Sequence, residues 1–391
     1  MSPVDLDGPL PPQYGRNSLI DLLPSIAAAQ GVPGFDNLLG LPSAPRWVVL
    51  MVDGLGWHNL DAAREHAPYL SALASRRPPV TVSVPSTTTT SLSGLGTGRP
   101  PGQHGMVGYT FRLPRAKGAV LNALSWEVPH SPRFVQPVPT VFEELTGQVA
   151  TATVSLARFA ESGLTEAALR GPEFVGLRDE NDERVRTERI LSRVTGAERT
   201  LVYAYERRLD MTGHTDGWQS EAWRAQLARL DGNCRTLAAR LPADAVLVVT
   251  GDHGMVDVPT ARQLVVEDEP DLLADVDCLA GEGRFRQLYV DGTDPTVVAA
   301  RWRARLGDDA WVRTRDEAIG EGWFGPVDPA MVERLGHVLV AMRGDAAVMT
   351  RTAPHELSLV GMHGSLTPTE MLVPLIMVPG GTSAPERERA R

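Results

Sequence analysis

Three aspartates and three histidines in this chain have the types and spacing of a catalytic metal centre. Asp53 follows the apolar run WVVLMV and precedes Gly54, and Asp252 and His253 follow VLVVTG and precede Gly254. Asp210 and His214 stand in ERRLDMTGH just beyond TLVYAYE, and His363 lies in GMHGSLTPTE ahead of a last apolar stretch, so all six are expected in loops at strand ends. Mixed carboxylate and imidazole ligands suit zinc, with manganese and iron also admitted by such a set. Six of them suffice for two three-ligand sites with open positions, as catalysis requires.

Each residue alone has an ordinary structural use. An Asp after a strand caps the next helix, a lone loop His is commonly a surface residue, and an Asp-His pair occurs in turns. Together they resist that explanation. Adjacent side chains on a strand point to opposite faces, so Asp252 and His253 converge only where the backbone leaves the pleat, and the flanking Gly251 and Gly254 permit this. A hydroxyl nucleophile is also at hand. The segment PSTTTTSLSGLGTG opens at Pro85 with four threonines, Thr87 to Thr90, and a hydroxyl at a helix N-terminus faces the end that attracts anionic phosphate. Competing motifs fail: there is no complete dinucleotide fingerprint, no GxxxxGK[ST] loop and no GxSxG elbow. His104 is expected to brace its loop, His58 and His66 to pack or face solvent, and Trp323 and Phe324 to be core. His337 and His355 are candidates for the substrate mouth.

The elements that must position these groups alternate. RWVVLMV, TATVSL (151–156), TLVYAYE and AVLVVTG read as strands buried on both faces. Helices are expected at 18–30, at about 59–75 and at 218–241, with VTVSV (80–84) and EMLVPLIMV (370–378) as further strands. The fold class is therefore α/β, a mostly parallel central sheet with helices on both faces. Such sheets present their ligand crevice at the C-terminal strand ends. The expected division is an irregular segment at 1–17, a catalytic domain at 18–255 and 363–380, a small α+β insertion at 256–362 and a polar tail at 381–391. The insertion carries RFRQLYV, HVLVAM and a helix near 295–306.

Composition excludes several classes. Of the 391 residues, 38 are basic and 48 acidic, a formal net charge of −10, which repels nucleic-acid polymers and anionic lipid but not a small phosphorylated substrate at a local cationic centre. The two cysteines, Cys234 and Cys278, lack CxxC spacing and disulfide density. With no signal peptide or apolar run of spanning length, the expected setting is cytoplasmic, away from the membrane. Oligomeric state is left open.

The ordered set of Asp53, the threonine segment ending TGRPPGQHGMVGY, then LDMTGH, GDHGM and a late HG resembles the alkaline phosphatase superfamily, in its nucleotide pyrophosphatase/phosphodiesterase branch. The resemblance covers roughly residues 46–378. It implies one metal held by Asp53, Asp252, His253 and the nucleophile, and another held by Asp210, His214 and His363. The family's spacing puts the nucleophile on Thr88, with Thr87 as fallback and Ser83 as a control. Two positions depart from the pattern: Thr89 stands where an aromatic often stacks on a nucleobase, and Tyr109 where an asparagine often steadies a phosphoryl oxygen. The implied reaction is two-metal hydrolysis of phosphate esters through a covalent phospho-threonine. Three aspartates against two divalent ions leave one positive charge in surplus to attract the substrate. Alternatives on the same scaffold are phosphomonoester, phosphonate or sulfate-ester hydrolysis or phosphotransfer. A metal-binding protein without turnover is the alternative from another class.

Overall fold

A computed structural model describes residues 8–114 and 119–382; the tail from residue 383 on and the first seven residues lie outside it. In chain order the principal strands are β1 (Arg46–Val52), β2 (Ala150–Leu156), β3 (Glu173–Leu177), β4 (Thr200–Glu206), β5 (Ala245–Gly251), β6 (Val276–Glu282), β7 (Phe285–Val290), β8 (Ala310–Thr314), β9 (Val338–Met342) and β10 (Ile376–Pro379). Six form the central sheet in the order β10-β5-β1-β4-β2-β3, parallel except for the edge strand β10.

Both faces of this sheet are covered. Along β1, Trp47, Val49 and Met51 join one apolar cluster, whereas Val48, Leu50 and Val52 join another on the opposite face. That is why the strand reads as an unbroken apolar run rather than an alternating one. Register then fixes the site. Val52 pairs with Glu206 on one side and Gly251 on the other, so the residues that follow these three strands emerge side by side.

A second sheet, antiparallel in the order β6-β7-β9-β8, carries the helix Pro295–Leu306 on an apolar cluster of its own that includes Leu288, Val298, Trp302 and Val340. The helix expected at 218–241 runs Glu221–Arg240, with the Ser220 hydroxyl capping it. The single helix expected at 59–75 is two, Trp57–Ala62 and Pro68–Ala74. Pro68 has no N–H to continue a helix and instead occupies the first position of a new one. Within 370–378 only Leu372–Val373 and Ile376–Pro379 are extended, because Pro374 removes a ladder donor between them. VTVSV likewise keeps only Val80–Thr81 as a strand, paired to Leu372–Val373. Among the described residues no helix is long and apolar enough to cross a membrane.

Candidate active site

All eight residues singled out by sequence meet at or beside one cavity of about 500 Å³ over the C-terminal ends of β1, β4 and β5. Asp53, Thr88, Tyr109, Asp210, His214 and His363 line it. Asp252 and His253, both fully buried, lie beneath. Asp53 leaves β1 directly into Gly54, whose φ of +74° suits glycine. A Cβ at Gly54 would stand 3.1 Å from the Asp210 backbone, so glycine is what lets the loop approach that aspartate. Beyond β5, a Cβ at Gly254 would fall 1.9 Å from the Thr369 carbonyl. The turn that brings Asp252 and His253 together thus depends on a missing side chain.

Asp210 and His214 are not in a loop, as the sequence order indicated, but on the helix Arg208–Asp216. At a spacing of four they share a face, with His214 Nε2 3.3 Å from Asp210 Oδ2. Behind them, Glu206 at the end of β4 pairs with Arg186 and Arg208, tying the helix start to the sheet. Thr88 is the first residue of the helix Thr88–Thr97. Its Oγ1 is 3.3 Å from Asp53 Oδ1 and 3.3 Å from His253 Nε2. Ser83 is fully buried and is not among the cavity residues.

The three histidines share one arrangement. Nδ1 of His214 donates to the Gly361 carbonyl at 2.7 Å, that of His253 to Gly254 at 2.9 Å and that of His363 to Ser86 at 3.0 Å. A carbonyl only accepts, so each Nδ1 carries a proton, and in the neutral ring Nε2 keeps its lone pair, the tautomer of a metal-ligating histidine fixed by its outer partner. Ligand atoms of Asp53, Asp252 and His253 lie within 4.8 Å of one another, and so do those of Asp210, His253 and His363. His253 therefore belongs to both clusters, its ring stacked on His363 at 3.5 Å between centroids, with His214 beside His363 at 5.2 Å. Asp210 Oδ1 and Asp252 Oδ2 are buried with no hydrogen-bond partner among the described residues. Orphaned carboxylate oxygens facing lone-pair imidazoles fit divalent cations.

Charge crowding shows in the acidities. Burial, then the neighbouring Asp53, pushes Asp252 up to about 8 and Asp210 up to about 6. Burial works to lower His253, but Asp252 and Asp53 outweigh it and push the ring up to about 10. Burial and the charge of His253 hold His363 well below its ordinary value. Burial also raises Asp53, yet hydrogen bonds from His253 and the Tyr205 hydroxyl bring it below the usual carboxylate range.

These directions set a pH dependence of stability. Between about pH 6.5 and 8 the folded, cation-free protein keeps protons on Asp252 and His253 that the unfolded chain has released. Stability must then fall as pH rises through that window, while His363, held low, opposes only below 6.5. Thermal melts in chelator at pH 6.5 and pH 8 should show the lower Tm at pH 8, with a smaller difference in Asp252→Asn. An equal slope in that variant would contradict the assignment.

Sequence reasoning missed Tyr205, Asn122 and Glu282. Tyr205 was detectable: in TLVYAYE, Tyr203 and Tyr205 alternate onto one face. Asn122 Nδ2 donates to the Tyr109 hydroxyl at 2.9 Å, and His355 Nε2 lies 3.4 Å from the same oxygen. His355 lines the cavity, whereas His337 Nδ1 instead accepts from the Val290 N–H. His104, Trp323 and Phe324 are buried, and His104 Nδ1 accepts from the Met106 N–H in its own loop.

The sequence model of the family described as type I phosphodiesterase / nucleotide pyrophosphatase matches residues 47–366. The chain belongs to that family. It is therefore a phosphoric ester hydrolase of the alkaline phosphatase superfamily, whose members are metal-dependent. No curated protein is matched by sequence. Among solved structures, murine ectonucleotide pyrophosphatase / phosphodiesterase 5 superposes with a TM-score of 0.68 at 16% identity, covering 85% of this chain and 88% of its own. An inactive threonine-to-alanine variant of that protein in complex with AMP gives 0.67 at 15% identity, covering 86% and 88%. Phosphonoacetate hydrolase from Sinorhizobium meliloti 1021, in complex with phosphonoacetate, gives 0.63 at 20% identity, covering 89% and 93%. At such identities the likeness establishes the shared fold, and within it the phosphodiesterase-family chain carries Thr89 and Tyr109 on the cavity wall.

Proposed function

We propose that this family member is a two-metal phosphodiesterase in which Thr88 is the nucleophile and zinc the preferred ion. The observation that carries this reading is the convergence of three Nε2-presenting histidines and three buried aspartates on the hydroxyl at the start of one helix. Asp53, Asp252, His253 and Thr88 would hold one cation and Asp210, His214 and His363 the other. Divalent cations so placed lower the pKa of a nearby hydroxyl and stabilise anionic oxygens.

The chain supplies the rest. Thr88 Oγ1 donates its hydrogen bond to Asp53 Oδ1, and Tyr205 in turn donates to Asp53 Oδ2, fixing the carboxylate on the threonine. Attack forms the Thr88 O–P bond as the alcohol departs, and water then cleaves the phospho-threonine. Thr87, one residue earlier, stands at the N-cap position, but its side chain makes no cap bond and instead hydrogen-bonds to Glu282. The inactive threonine-to-alanine relative supports a threonine nucleophile in this fold. A phosphonate substrate is the second reading, favoured by the likeness to phosphonoacetate hydrolase and by Thr89, which offers no ring for a base and donates to the Gly108 carbonyl. A cytoplasmic setting belongs to the same reading, supported by two free cysteines, Cys234 buried and Cys278 half-buried.

Hydrolysis of bis(p-nitrophenyl) phosphate, p-nitrophenyl phosphate and a nucleotide p-nitrophenyl ester, with and without chelator, tests the proposal. Diester turnover that disappears on chelation is expected, and a metal-loaded protein that turns over none of the three would refute it. On this reading Tyr109, whose oxygen accepts from Asn122 Nδ2, would donate one hydrogen bond to the phosphoryl group. Tyr109→Phe should lower kcat by roughly 10²-fold, the scale of one oxyanion donor, with metal content unchanged. A loss below threefold would remove Tyr109 from the site chemistry.

A further inference from the structure

The antiparallel sheet delivers one more acid to the cavity. Glu282 ends β6 and lines the cavity next to Gly283, its side chain keeping 15% exposure. Its Oε2 is 4.0 Å from His363 Nδ1, the Thr87 hydroxyl hydrogen-bonds to its carboxyl, and its Oε1 is buried. The turn that carries it is clamped on both flanks. Arg284 forms a fully buried ion pair with Glu370 at 2.7 Å, and Arg286 pairs with Glu356. Both nearby guanidinium groups are thus committed to other carboxylates. Gly364 packs against the acid, where a Cβ would stand 3.0 Å from Oε1.

This changes the charge count. Three aspartates against two divalent ions leave one positive charge. Burial pushes Glu282 up to about 8 in the cation-free protein; once ionised beside two cations, its carboxylate cancels that charge. We propose that Glu282 sets the charge class of the substrate, favouring a monoanionic phosphodiester over a dianionic phosphomonoester. The proposal rests on the two-metal hydrolase reading and names which ester that site accepts. A neutral centre offers a dianion no net attraction, and a carboxylate beside the phosphoryl group repels a dianion about twice as strongly as a monoanion.

On metal-loaded protein at pH 8, Glu282→Gln should raise the monoester-to-diester ratio of kcat/KM by roughly tenfold, while Glu282→Asp, which keeps the charge, holds the wild-type ratio. Calorimetry supplies a readout without turnover. Wild-type protein should bind inorganic phosphate no more tightly than dimethyl phosphate, and Glu282→Gln should bind inorganic phosphate roughly tenfold more tightly than wild type does. Ratios and affinities within twofold of wild type in the Gln variant overturn the proposal. So does tighter binding of inorganic phosphate by the wild type, a comparison that stands even where a variant does not fold. Loss of all turnover with that binding preference intact would instead reject the hydrolase reading and leave the role of Glu282 in place.

Discussion

Thr88→Ala is expected to lower kcat on the diester by a factor on the order of 10³ or more while the protein stays folded and retains its metal. The size follows from the role: without the hydroxyl no phospho-enzyme forms, and removing a covalent nucleophile eliminates a pathway rather than weakening a contact. The selectivity follows from the structure. Thr88 begins its helix but does not cap it, since the cap position is Thr87. Among the described residues its hydroxyl bonds only to Asp53 and His253, both at 3.3 Å, and alanine is the better helix former. Tm should therefore shift by no more than about 2 °C. Thr87→Ala should retain most of the activity. Rate measurements on both variants, with mass spectrometry of denatured enzyme quenched during turnover to find the phosphorylated peptide, separate the two threonines.

Removing the metal is the second large effect. Chelation should abolish diester hydrolysis by about 10³-fold or more, since cations at such a centre contribute several kcal/mol of charge stabilisation in the transition state. It should also lower Tm by roughly 5 °C or more, because a ligand bound only to the folded state stabilises it by mass action. The site adds its own reason. Asp210 and Asp252 are buried with unpartnered oxygens, and both are pushed up by burial and by Asp53. Such groups strain the metal-free fold, so neutralising one should help it: Asp252→Asn should melt above the chelated wild type yet gain little when metal is added. A variant that melts lower in chelator would show that Asp252 serves packing rather than coordination.

Much of the frame was legible in the sequence because burial on both faces leaves an unmistakable apolar run. TLVYAYE and AVLVVTG are strands from end to end, and the aspartates and histidines that follow these runs are the ones that converge. Asp210 and His214 were placed correctly but in the wrong element. LDMTGH contains Thr and Gly, poor helix formers, and the helix is held there by Arg208 and its pairing with Glu206. The two prolines that split expected elements, Pro68 and Pro374, were visible in the sequence and underweighted. Ligand grouping was not legible: His253 sits between both carboxylate clusters because of how its ring stacks on His363, a matter of packing and not of spacing. Glu282 had no signal at all, since AGEGRF reads as a turn and only the docking of the second sheet brings its carboxyl to the cavity.

The most direct test of a paired-cation centre beside Thr88 is anomalous diffraction from crystals of the metal-loaded protein. Two peaks are expected, one among Asp53, Asp252, His253 and Thr88 Oγ1 and the other among Asp210, His214 and His363. A single peak, or none within reach of Thr88, would contradict it.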